Sequence, residues 1–178
     1  MKPESHEPVP VICHPDLEHW RALARDNPHD SGMREQLAEA LSKSVLGVEN
    51  LEEQRLEELR AVVVAHPQDA PVRKWFARAL YSVLFFERQE KELARSDAIF
   101  QELRELSNAH PGDAGVAEPF AMALSYVHGC TKEGDYRPVQ AGLLQELREL
   151  SNLHPNSREV QMWLRATTEL EAILDSKS

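Results

Sequence analysis

The side chains of this chain with the most obvious chemical potential are three histidines, each followed by a proline: His66-Pro67, His110-Pro111 and His154-Pro155. Imidazoles at a fixed interval could supply nitrogen ligands to a divalent metal. A protein site needs about four donors, however, and no cysteine or carboxylate cluster completes a set beside any of the three. His128-Gly129-Cys130 offers another pair of soft donors and lacks two further partners in the same way. The acidic runs Glu49-Asn50-Leu51-Glu52-Glu53 and Glu57-Glu58 could hold paired carboxylates for acid–base work. They alternate with Arg55 and Arg60 at helical spacing, so the expectation is a solvated, ion-paired helix face. There is no glycine-rich phosphate loop, CxxC pair, nucleophile elbow or HExxH. The residues therefore predict a protein without a catalytic set, a metal or a cofactor.

The histidines recur because a longer stretch recurs. Gln101-Glu102-Leu103-Arg104-Glu105-Leu106-Ser107-Asn108-Ala109-His110-Pro111 returns 44 positions later with one change, as Gln145 to Pro155. A fainter copy, Leu59 to Pro67, lies another 44 positions upstream, and Trp20 to Pro28 lies 39 before that. Repeats of this length belong to architectures in which each unit buries its apolar face only against its neighbours. Before the prolines run Leu17, Trp20, Leu23, then Leu56, Leu59, Val62, then Phe100, Leu103, Leu106, then Leu144, Leu147, Leu150, each set on one stripe of a helix. The proline ring disfavours the α region for the residue before it, so each of those helices ends there.

A second helix is predicted after each proline. Asp30, Asp69, Asp113 and Ser157, two residues past the prolines, are capping types. Met33, Val72, Val116 and Val160 follow in register, then Leu37, Phe76, Phe120 and Leu164. Small residues come next: Ala38, Ala77, Ala121, and two positions on Ala40, Ala79, Ala123, before Leu41, Leu80 and Leu124. Alanines along one side let a neighbouring helix approach closely while the larger side chains fill the gaps. The last copy has Arg165 and Thr167 where the others have alanine, as a terminal unit with one solvated face should.

This pattern resembles the tetratricopeptide repeat (TPR). Leu37-Ala38 with Leu41, Phe76-Ala77 with Leu80, and Phe120-Ala121 with Leu124 match its first helix; Ile99, Leu103, Leu106, Pro111 and Leu143, Leu147, Leu150, Pro155 match its second. The resemblance implies an all-α fold, a TPR-like superhelix: a right-handed solenoid of antiparallel helix hairpins, about eight helices in four pairs over residues 15–174. The unit of 44 residues is about ten longer than the usual ~34. The extra residues fall at Phe86 to Glu92, all helix formers that lengthen both flanking helices, and at Gly129 to Pro138, whose two glycines and proline predict a loop. Pro119 is expected to start its helix near Glu118 or to bend it.

Residues 1–14, with Pro3, Pro8 and Pro10, read as a flexible lead-in and 175–178 as a tail. With 20 Lys and Arg against 30 Asp and Glu the formal charge is −10, which disfavours nucleic acid and anionic lipid as partners. No run approaches the ~20 apolar residues of a membrane span, and the first dozen residues lack a signal core. Two cysteines far apart, Cys13 and Cys130, suggest a reducing, cytoplasmic setting.

The resemblance also implies a role. First helices of successive units line a groove for a peptide or a helix, which by register selects Glu35, Gln36 and Glu39, then Lys74, Trp75, Arg78 and Tyr81, then Met122, Ser125 and Tyr126. Trp75 between Lys74 and Arg78 is the strongest set, because aromatics and arginine dominate interface energetics. The expected function is a noncatalytic protein–protein interaction module, a scaffold or adaptor with a protein or peptide partner. One alternative is a homo-oligomer stacked through Leu170, Ile173 and Leu174. The other is an enzyme, or the regulatory part of one, using the stretch from His128 to Tyr136.

Overall fold

The computed structural model of the chain describes residues 17–45, 51–89, 93–130 and 137–175. The expected lead-in lies outside them, as does the expected tail apart from Asp175, which ends the last helix. Among the described residues there are eight helices and no strand: α1 (Leu17–Asp26), α2 (Ser31–Ser44), α3 (Glu52–Ala65), α4 (Ala70–Gln89), α5 (Leu93–Ala109), α6 (Ala114–Cys130), α7 (Arg137–Leu153) and α8 (Arg158–Asp175).

The four prolines hold equivalent stations. At each, the carbonyl just before the proline accepts the amide three residues along: Asn27 from Asp30, His66 from Asp69, His110 from Asp113 and His154 from Ser157, at 3.0 to 3.1 Å. Proline, with its fixed φ, suits the second position of such a turn. A new helix then starts at once. The Asp30 carboxylate accepts from the amides of Gly32 and Met33, Asp113 from Gly115 and Ser157 from Val160, satisfying donors that a helix start leaves open. Asp69 meets Pro71 two residues on, where there is no N–H to accept. Its carboxylate instead takes the Arg34 guanidinium of the preceding unit at 3.0 Å.

The even-numbered helices pack in a row, α2 on α4, α4 on α6 and α6 on α8, and each odd-numbered helix lies against its even-numbered neighbours. No two odd-numbered helices approach closely along their backbones among the described residues. The difference follows from side-chain size. Ala38, Ala40, Ala77, Ala79, Ala121 and Ala123 are all buried and let the even-numbered backbones come together. The odd-numbered helices present leucines to the core, with Leu56, Leu59, Leu103, Leu144 and Leu147 almost wholly buried, and lie further apart.

Long side chains span the wider spacing. The guanidinium of Arg21 forks onto Glu58, that of Arg60 onto Glu102 and that of Arg104 onto Glu146, each pair linking one unit to the next. The same contact therefore repeats three times. A second series, Arg34 to Asp69 and Arg73 to Asp113, links the starts of α2, α4 and α6.

Three sequence expectations need correction. Of the two outcomes expected at Pro119, a helix start near Glu118 does not occur: the proline lies inside α6, which begins at Ala114. The Asp113 cap and Gly115 start the helix upstream, and the proline removes only the bond that its N–H would give to the Gly115 carbonyl. Gly129 and Cys130 belong to α6 and Arg137 and Pro138 to α7, so the ends of the expected loop are helical; residues 131–136 lie outside the described residues. The acidic face at the start of α3 is only partly solvated. Arg55 is buried and donates to the Ser44 carbonyl, an open acceptor at the end of α2. Glu52 is buried beside Arg95, which also reaches Glu87; burial pushes the Glu52 carboxyl up, and Arg95 offsets part of that.

Candidate functional site

The face of α2, α4 and α6 is where the sequence places its binding residues. On α4, Lys74, Arg78, Tyr81 and Phe85 follow one another at steps of four, three and four, so they form one stripe along the helix, with Trp75 beside it. Trp75 and Tyr81 are half-buried and packed on the core, while Arg78 is exposed. On α2, Glu35 and Glu39 are half-buried and Gln36 is exposed; on α6, Met122, Ser125 and Tyr126 are half-buried.

Glu39, Lys74, Trp75, Arg78, Tyr81 and Tyr126 fall in two clusters, and Met122 joins neither. In the first, three cations surround the Trp75 ring: Lys43 from α2 at 5.7 Å from its centre, Lys74 at 5.6 Å and Arg78 at 5.1 Å. Cations at this range are drawn to the π-face, each by about 0.5–1 kcal/mol at exposed sites. Lys43 is also held by Glu39 at 2.5 Å. Lys74 and Arg78 have no carboxylate partner among the described residues. The Trp75 indole N–H is buried and meets no acceptor, a state that costs about 1–3 kcal/mol. Gly115 of α6 fixes the base of this cluster, since a Cβ placed there would stand only 2.9 Å from Lys74 Cβ.

The second cluster is aromatic. Tyr81 and Phe85 have ring centres 6.4 Å apart, and Phe85 lies 4.8 Å from Tyr126, so the row crosses from α4 to α6. Burial pushes the Tyr81 hydroxyl up, and burial together with the nearby Cys130 thiol pushes that of Tyr126 up to about 12. Both phenols therefore stay protonated at neutral pH, and that of Tyr126 donates to the Phe85 carbonyl at 3.4 Å. Phe85 and Phe86 remain 41% and 46% exposed beside them.

Register alone did not select two of these groups. Lys43 lies one turn beyond the α2 positions transferred from the family, and the orientation of α2 against α4 brings it to Trp75. Phe85 could have been found from the four-and-three stripe on α4. Ser125 is spent on packing, because its hydroxyl meets Thr167 Oγ1 of α8 at 2.8 Å. Glu35 and Gln36 belong to neither cluster and lie on α2, one to two turns before Glu39 and Lys43.

Elsewhere, a cavity of about 430 Å³ opens between α1, α2 and α3, lined by Arg21, Ala24, Leu37, Ala61, Val62 and other residues, away from the two clusters. His128 is 1% exposed within α6 rather than on a loop; burial pushes its imidazole below the ordinary value, with Glu171 acting against this. Of the residues assigned to an oligomer contact, Leu170 is half-buried, Ile173 is exposed and the Leu174 side chain lies outside the described residues. Among the described residues no group of three or more His, Cys, Asp or Glu could hold a metal ion, and no helix is long and apolar enough to cross a membrane. No family model, curated protein or solved structure matches the chain.

Proposed function

We propose that this chain is a noncatalytic helical-repeat protein of TPR-like build whose even-numbered helices present a groove to a peptide or a partner protein. The observation that carries the reading is the convergence of Lys43, Lys74 and Arg78 on Trp75, next to the aromatic row of Tyr81, Phe85 and Tyr126. An even-numbered row packed closely through alanines beside an odd-numbered row spaced by leucines and bridged by Arg–Glu pairs is the asymmetry that curves a helical stack. The even-numbered row then lies on the inner side, in a right-handed superhelix. Side chains fixed in advance by the stack lower the ordering cost when a partner segment arrives.

The test is selection from a random peptide library on the full chain. Peptides enriched on the wild type should be weakened about tenfold or more by Trp75→Ala and by Arg78→Glu, with the circular dichroism of each variant unchanged. If nothing is enriched, or if both variants hold the selected peptides as well as the wild type does, the groove reading fails.

A further inference from the structure

We infer that the occupant of this groove is an acidic segment, with adjacent carboxylates set beside the Trp75 cluster and an aromatic side chain about three residues along, on the Phe85 row. The inference rests on the groove reading and deepens it. The chain carries ten more acids than bases, and Arg21, Arg34, Arg60, Arg73, Arg88, Arg95 and Arg104 all have carboxylate partners. Exposed Arg25, Arg148, Arg158 and Arg165 also lack a carboxylate partner among the described residues; Lys74 and Arg78 differ from them in converging, with Lys43, on one aromatic ring of the central helix.

Three cations, Lys43, Lys74 and Arg78, face one carboxylate, Glu39, within the cluster, an excess of two positive charges at Trp75 that Glu35, one turn earlier on α2, lowers to one over the groove face as a whole. Two ligand carboxylates match the excess at Trp75. The Arg78 fork suits a carboxylate in the bidentate manner this chain already uses at Glu58, Glu102 and Glu146. The Trp75 N–H is buried without an acceptor, and an oxygen that reached it would satisfy an open donor. The distance to the aromatic row sets the spacing. Seven residues of helix separate Arg78 from Phe85, or about 10 Å, which an extended peptide covers in about three residues. There the exposed Phe85 edge, flanked by Tyr81 and Tyr126, offers an aromatic side chain a stacking surface.

The experiment uses the full chain and fluorescence-labelled peptides with blocked ends. Glu-Glu-Ala-Ala-Phe and the reversed Phe-Ala-Ala-Glu-Glu, each inside a neutral flank, are compared with Gln-Gln, Phe-to-Ser and phosphoserine versions. At least one Glu-Glu peptide should bind about tenfold or more tightly than its Gln-Gln version. Its affinity should fall as salt rises from roughly 50 to 200 mM, and Arg78→Glu or the Phe-to-Ser change should abolish the advantage. Equal binding of the Gln-Gln peptide, no Glu-Glu binding at about 1 mM, or binding of the phosphoserine peptide alone overturns the inference. Library peptides that depend on Trp75 but lack acidic residues would leave the groove reading standing and remove only this one.

Discussion

His128 illustrates how far burial can change the meaning of a single residue. In the sequence it stands beside Gly129 and Cys130 as a possible ligand or base; in the structure it is a core side chain of α6. Burial lowers its imidazole below the ordinary value near 6.5, against the pull of Glu171. The unfolded chain therefore takes up the proton first as pH falls. Stability is at its full value above the ordinary pKa and declines as pH drops through the range down to the folded one. Comparing urea midpoints at pH 7 and pH 5, the wild type should lose more stability than His128→Asn. An equal loss in both would show that this imidazole does not titrate with folding. Glu52, raised by burial, acts in the opposite sense and at lower pH, where the folded form is the first to take the proton. Neither group could be singled out from the sequence, because its immediate neighbours are not what desolvates it.

At the scale of helices, two glycines make opposite predictions. Gly142 lies exposed inside α7, and a Cβ added there would meet nothing within 4 Å, so Gly142→Ala should stabilise the protein by about 0.5–1 kcal/mol through helix propensity alone. At Gly115 the same methyl would meet Lys74 Cβ at 2.9 Å, and that atom is the root of a side chain rather than its flexible end. Gly115→Ala should therefore push α6 from α4 and destabilise by about 1–3 kcal/mol despite the better propensity. Chemical denaturation of both variants checks the pair, and a stabilised Gly115→Ala would show that the two helices are not in close register there. The elements themselves were legible. Proline positions, capping residues and the three-and-four apolar spacing located the helix starts and ends, since these are local effects. At α6 two local signals conflicted, the Asp113 cap and Pro119, and the helix follows the cap and carries the proline inside it.

Over the whole molecule, the pattern of contacts is close to one-dimensional: each helix touches only its near neighbours along the chain. The ends should then be less protected than the middle. The shortest helix, α1, packs its backbone closely only on α2 among the described residues and reaches α3 through the Arg21–Glu58 pair, whereas α4 is bounded by α2, α3, α5 and α6. Native-state hydrogen exchange should show amides of α4 and α6 opening only by the largest unfolding event, with those of α1 exchanging faster by about tenfold or more. Protection in α1 equal to that in α4 would mean that the stack unfolds as one cooperative block.

Sequence alone determined the repeat, the helical hairpins and the buried stripe, because these depend on spacings of three, four and 44 residues and on what proline does to the residue before it. Tertiary structure decided which charges meet. Arg60 pairs with Glu102 and Arg104 with Glu146 at separations of 42 residues, and Lys43 reaches Trp75 from another helix, none of it encoded by local spacing. The same packing bonded Ser125 to Thr167, turned Arg55 and His128 inward and left Lys74 and Arg78 without a carboxylate among the described residues. The physical reason is the difference in range: backbone conformation follows from adjacent residues, whereas desolvation and ion pairing follow from whatever the stack brings alongside.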